Sequence, residues 1–225
     1  MNYNLMKNNK VTISGEVVSE PKFSHEVYNE GFYEFYIKVS RLSVAYDIIP
    51  VTISERLMAI ANIKVGSMIS GIGQFRSYNK LEDGKSRLML TVFLREVVPY
   101  DAYANPNLIE IPGYVCKEPV FRTTPFNREI SDVLLAVNRS YNKSDYLPCI
   151  AWGRNARFVK DFSVGDKVNV SGRIQSREYQ KKVGDNVFTK TAYEISLSKI
   201  ELVKEVNEID TVMTSVGELE NYYVR

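Results

Sequence analysis

The residues that usually carry catalysis are scarce in this chain. Its only histidine is His25, beside Glu26. A single imidazole excludes a multi-histidine zinc site and ties any serine–histidine triad to His25, whose setting reads as a surface loop. Cys116 and Cys149 are too few for a disulfide framework and fit a reducing compartment. Gly84-Lys85-Ser86 ends like a phosphate loop, but Asn79 stands where the loop needs glycine, and a hairpin is the wrong context. Gly71-Ile72-Gly73 lacks the third glycine of a dinucleotide fingerprint, because Arg76 occupies that place. Asn138-Arg139-Ser140 and Asn142-Lys143-Ser144 match glycosylation acceptors, which matter only on a secretory route. Asp47 and Asp145 invite a nuclease reading, but no clustered carboxylates accompany them, and a turn role at a strand edge fits better. The sequence calls for no catalytic residue, metal or cofactor. What it offers instead is 15 Tyr and 10 Phe beside a single Trp, a surplus of flat rings.

The 225 residues are 44% apolar and 25% charged, an ordinary soluble composition. No apolar run reaches the roughly 18 residues of a membrane span, and no signal peptide is read at the start, so a cytoplasmic location is expected. The net charge of +2 is too weak to coat duplex DNA. It is also uneven. Residues 106–205 carry 16 basic and 12 acidic groups, whereas residues 206–225 carry 1 and 4, a weak sign of polyanion binding.

The elements that position these residues repeat. The segment from Thr12 to Phe23 aligns with that from Glu110 to Phe121, with Ile, Gly, Val, Glu, Pro and Phe identical at a spacing of 98. The same spacing pairs Val39 with Val137, Arg41 with Arg139, Asp47 with Asp145, and Pro50 with Pro148. One residue more pairs Gly73 with Gly172 and Ser77 with Ser176, and a still longer step pairs Leu94 with Leu197, so the last hairpin of the second copy is longer. Within each copy, Val11-Ile13-Gly15-Val17 and Ile109-Ile111-Gly113-Val115 alternate at strand period, as do Phe35-Ile37-Val39 and Val133-Leu135-Val137. The prolines predict a third strand at an edge or missing a ladder bond. Apolar spacing predicts short helices over 55–63 and 154–162. Five strands with a helix between strands 3 and 4 is the connectivity of the OB-fold. The fold class is therefore all-β, two tandem five-stranded barrels joined by a short stretch around Tyr100–Asn107 that restricts their relative orientation.

The second copy carries a family likeness. Val137-Asn138-Arg139-Ser140-Tyr141, then Asp145 to Ala156, then Val164-Gly165-Asp166 to Tyr179, in this order and spacing, resemble the bacterial single-stranded DNA-binding protein family. The likeness covers roughly 108–202 closely and, through the repeat, 9–99 more loosely. It implies bases stacked on Tyr146, Trp152 and Tyr179, with Tyr141 in a loop that often adds another. Physical reasoning agrees, since single strands expose base faces and need aromatic platforms beside cations. Tyr146, Pro148, Ile150 and Trp152 share one strand face. Arg139, Arg154, Arg173, Arg177, Lys181 and Lys182 are placed to follow the phosphates. The competing reading puts these rings in the barrel core.

The first copy departs from the pattern, with Ser54 in place of Trp152 and Ile48 in place of Tyr146, while keeping Arg41, Tyr46 and Tyr78. The expected domains are thus 1–104 with a degenerate DNA face, 105–205 with a family-like face, and a tail at 206–225, where 210–220 is either a short helix or loose. The tail lacks the acidic, hydrophobic-tipped end that recruits partners in the family, which puts recruitment of replication or repair proteins in doubt. The expected function is non-enzymatic protection of single-stranded DNA in replication, recombination or repair. Because the family assembles four OB-folds, a homodimer is expected. The alternative is a primosome-like OB-fold scaffold acting mainly through protein contacts.

Overall fold

The computed structural model describes residues 8–82, 84–139, 142–183 and 186–203. The first copy contains β1 (Lys10–Val17), β2 (Lys22–Val27), β3 (Glu30–Ser40), β4 (Tyr46–Ser54), α1 (Glu55–Ala61), β5 (Met68–Glu82) and β6 (Lys85–Val98). The second contains β7 (Asn107–Thr123), β8 (Glu129–Arg139), β9 (Lys143–Trp152), α2 (Arg154–Val159), β10 (Lys167–Val183) and β11 (Asn186–Leu202). Each copy closes into a barrel. In the second, β7 pairs with both β8 and β10, and a short parallel contact between β9 and β11 seals the other side. In the first, β1 pairs with β3 and β5, and β4 runs parallel to β6. The chain is two tandem OB-folds. The first strand of copy one breaks before Pro21 into β1 and β2, so that barrel has six segments where five strands are expected.

Alternation explains the interior. Phe35, Ile37, Ile49 and Ile53, at odd-numbered positions of β3 and β4, are fully buried, and Leu135, Leu147, Ile174 and Ile195 fill the second barrel in the same way. Removing such side chains from water supplies most of the folding drive. Both long hairpins bulge at a repeated glycine, between Ile72 and Gly73 and between Ser171 and Gly172. A Cβ there would overlap the carbonyl oxygen of Phe93 or Ser196, so only glycine allows the strands to cross this closely.

Of the two readings of the prolines, the missing ladder bond is the one that holds at Pro50, because neither proline strand is an edge: β4 lies between β3 and β6, and β9 between β8 and β11. Pro50 is tolerated because Tyr36, its partner across β3, turns its N–H to Ser19 Oγ and its C=O to Val18, away from β4. The helices are shorter than the apolar spacing predicts. Asn62, with φ 45°, ends α1, and a turn bond from Phe162 N–H to Val159 C=O follows α2. His25 is in strand β2, not in a loop.

The barrels join through antiparallel pairing of β1 with β7. In that register Val11 faces Ile109, its own repeat equivalent, so a pseudo-two-fold axis passes through the pair. The first halves of β1 and β7, where β3 and β8 do not pair, thereby satisfy each other's backbone groups.

Candidate nucleic-acid interface

Alternation in β8 to β11 decides what faces outward. Tyr146, Pro148, Ile150 and Trp152 lie on the outer side of β9, and Arg173, Gln175, Arg177 and Tyr179 on that of β10. Tyr146 is 47% exposed, Trp152 38% and Tyr179 39%, whereas the barrel interior is filled by Leu147, Ile174 and their neighbours. These three rings therefore sit on the surface and not in the core. The Arg177 guanidinium lies 6.0 Å from the Tyr179 ring centroid, within cation–π range, and 3.7 Å from Glu194. Arg154, at the start of α2, and Lys182, near the tip of the β10–β11 hairpin, are exposed. Tyr141 and the Lys181 side chain lie outside the described part of the structure, as does the tail 206–225.

Arg139 and Arg173, expected along the phosphates, and Arg41, which the first copy keeps, are engaged elsewhere. Arg41 donates to Asp47 from both Nε (2.8 Å) and Nη2 (2.5 Å). Arg173 reaches the same carboxylate at 3.3 Å, and Arg139 lies 3.2 Å from Asp145. The two aspartates are 1% and 0% exposed and do not cap turns; each grips the other copy. Asp47 Oδ1 accepts from Ser176 N–H (2.7 Å) and Oγ (3.2 Å), and Ile48 N–H donates to Ser176 Oγ (3.2 Å). Across the axis, Asp145 Oδ1 accepts from Ser77 N–H (2.6 Å) and Oγ (3.3 Å), and Tyr146 N–H donates to Ser77 Oγ (2.8 Å). Each clasp thus ends beside an outward-facing residue: Ser176 precedes Arg177, and Asp145 precedes Tyr146. Asn9 and Asn107 add a second mirrored pair, bonding both backbone groups of Phe75 and Ile174 respectively. Sequence reasoning missed these roles. The available signal was a polar residue repeated at the copy spacing in a strand that is otherwise apolar.

The clasps differ electrostatically. Burial pushes the Asp47 carboxyl up, but hydrogen bonds from Arg41 and Ser176 outweigh it and hold the group below the ordinary carboxylate range. At Asp145 burial prevails and raises the carboxyl against Ser77, Arg139 and Arg76. The geometry supplies the reason. Arg41 binds bidentately, whereas Arg139 Nε and Asp145 Oδ2 are buried without a directed hydrogen bond. Nearby, burial and the like charges of Arg139 and Arg95 lower the Arg76 guanidinium to about 10.

On the first copy the outer face differs. Tyr46 is 53% exposed, with the Lys38 ammonium 4.7 Å from its ring centroid, and Tyr78 donates its hydroxyl to Glu34 (3.0 Å). Ser54, in the place of Trp152, is the N-cap of α1, its Oγ accepting from Leu57 N–H. The equivalent cap of α2 is Gly153, with φ 52° and no side-chain bond. Lacking that extra residue, copy one starts its helix one position earlier, and the cap displaces the ring.

The comparisons follow this division. A profile of the single-strand binding protein family matches residues 106–203. Single-stranded DNA-binding protein 1 of Staphylococcus aureus (strain COL) is 34% identical over 89 residues, 36% of this chain and 53% of that protein. Single-stranded DNA-binding protein B of Bacillus subtilis (strain 168) is 35% identical over 89 residues, covering 36% of this chain and 79% of that relative. The chain belongs to the single-strand binding protein family. It spans about half the length of the first curated relatives it matches. The fold of both copies together resembles the wild-type single-stranded DNA binding protein of Thermus aquaticus, with TM-score 0.70 and 16% identity over 88% of this chain and 94% of that one. Family membership thus rests on sequence, and the two-barrel architecture on shape. Among the described residues, no helix is long and apolar enough to cross a membrane, and no three His, Cys, Asp or Glu side chains gather as a metal site would require.

Proposed function

We propose that the protein binds single-stranded DNA without sequence preference, through the outer face of β9 and β10. The carrying observation is three surface rings, Trp152, Tyr146 and Tyr179, on one barrel face with Arg177 against one of them. Stacking is sequence-tolerant because every base has a π-face, and the cations neutralise the backbone. Arg177, Arg154, Lys182 and Lys181 are the phosphate contacts in this reading, and Tyr141 is a further stacking ring. Arg41, Arg139 and Arg173 hold the copies together first and face DNA second. The division into 1–104, 105–205 and a tail at 206–225 follows the same logic, with the second unit as the principal binder and Tyr46 and Tyr78 as the contribution of the first.

The role is protective and non-catalytic, in replication, recombination or repair. Two chains associate to present four barrels. The groove lined by Lys10, Glu96, Glu110 and Lys199 suits self-association, since it offers both charge signs for a second copy to pair. A mobility-shift assay tests the function. Unlabelled single strands should displace labelled oligo-dT, and a hundredfold excess of duplex should not. Equal competition by duplex overturns the proposal.

A further inference from the structure

The first copy replaces the missing ring from the neighbouring strand. Register places Phe32 on β3 directly opposite Ser54, while in the second copy Ile130 lies opposite Trp152. The aromatic and the non-aromatic partner have exchanged strands across the same rung. Phe32 is not alone. Its ring lies 5.5 Å from Phe93 on β6, and the Arg76 guanidinium sits 3.9 Å above Phe93. On its other side the exposed His25 imidazole stacks on Phe32, at 5.0 Å with an interplanar angle of 14°. Arg76, Phe93, Phe32 and His25 thus form a ladder of π-faces on the outside of a barrel whose interior Phe35, Val51 and Val92 already fill.

The charge around this ladder has also changed. Where the second copy buries the Gln175–Glu194 hydrogen bond (2.7 Å), the first pairs Arg76 with Thr91. A carboxylate is gone and a guanidinium has arrived. Arg76 donates to the neutral Gln74 Oε1 (2.8 and 3.2 Å) and feels the like charges of Arg95 and Arg139 against the carboxylate of Asp145. Glu34, on the same face, is bound by the hydroxyls of Ser24 (2.9 Å) and Tyr78 (3.0 Å). A cation cluster short of counter-charge beside a stack ending in an exposed ring suits one ligand class, an unpaired nucleotide with its phosphate.

We infer that this ladder is a second base-stacking subsite, taking an unpaired nucleobase on the His25–Phe32 end and its phosphate at Arg76 and Arg95. The inference rests on the single-strand binding proposed above and extends it to copy one at residues other than Tyr46 and Tyr78. It gives the strand a continuous route, because Arg139 and the Ser77–Asp145 clasp link this cluster to Tyr146 on the second face.

The test uses the full chain with two oligo-dT lengths, one of about 8 nucleotides that fits a single barrel and one of about 30 that spans both. Phe32→Leu keeps the apolar volume and removes the π-face. It should weaken the long oligonucleotide about 5- to 150-fold, the value of one base–aromatic stack, and leave the short one unchanged. With wild type, ultraviolet crosslinking of a 5-iodouracil-substituted long oligonucleotide should label a peptide containing His25 and Phe32. Unchanged long-strand affinity for Phe32→Leu, together with adducts confined to the second copy, overturns the subsite while leaving single-strand binding intact. Absence of oligo-dT binding by wild type overturns the underlying function instead.

Discussion

Replacing Asp47 by Asn probes the junction on which both faces depend. The carboxylate is 1% exposed and receives Arg41, Arg173 and the Ser176 N–H and hydroxyl. Asparagine keeps one acceptor for Ser176 but loses the charge and turns donors toward two guanidiniums. Removing one partner of a buried ion pair costs about 3–5 kcal/mol. Arg41 and Arg173 keep 29% and 38% of their side-chain surface in water and rehydrate in part, which places the loss near the low end, about 3 kcal/mol. Urea denaturation followed by circular dichroism reads it as a lower midpoint. The pH trend has a defined sign. The Asp47 carboxyl lies below its ordinary value in the fold, so its contribution is complete above about pH 4 and is lost as pH falls through the folded value. The gap between wild type and Asp47→Asn should therefore close in acid. Asp145 has a raised carboxyl, so the corresponding gap for Asp145→Asn should be smaller at pH 7 and widen in acid. A loss below about 1 kcal/mol for Asp47→Asn, or the same pH trend for both variants, refutes this account of the clasps.

Other outcomes follow from single contacts. Ser54→Ala removes the N-cap of α1 and should cost about 0.5–2 kcal/mol in thermal unfolding without changing oligo-dT affinity. Arg177→Ala should reduce the slope of log affinity against log salt by about 0.7, the share of one single-strand phosphate, measured across a salt titration. Light scattering should report twice the 25.8 kDa chain mass, while a strict monomer that binds DNA tightly contradicts the four-barrel assembly.

The barrels were legible because their signals are local. Period-two alternation needs only neighbours along the chain, and the repeated glycines and copy spacing need only comparison of the chain with itself. The clasps were not, because Ser77 and Asp145 are 68 residues apart and Asp47 and Ser176 are 129 apart, and nothing local tells a buried aspartate from one at a turn. The same gap left the two readings of the prolines open, since whether a strand is an edge depends on how the sheet closes. The surface placement of Trp152, Tyr146 and Tyr179 was legible through strand parity and family likeness together. The approach of Phe32 to Phe93 was not legible because it comes from cross-strand register, which places Phe32 opposite Ser54 only once β3 and β4 are paired.

Trp152 is the only tryptophan, so its fluorescence reports on the proposed site with no competing signal. Titration with oligo-dT should quench it to saturation, added salt should restore it, and Trp152→Ala should bind about 5- to 150-fold more weakly while keeping the wild-type fold. Emission that ignores oligo-dT, combined with unchanged affinity in Trp152→Ala, contradicts the account.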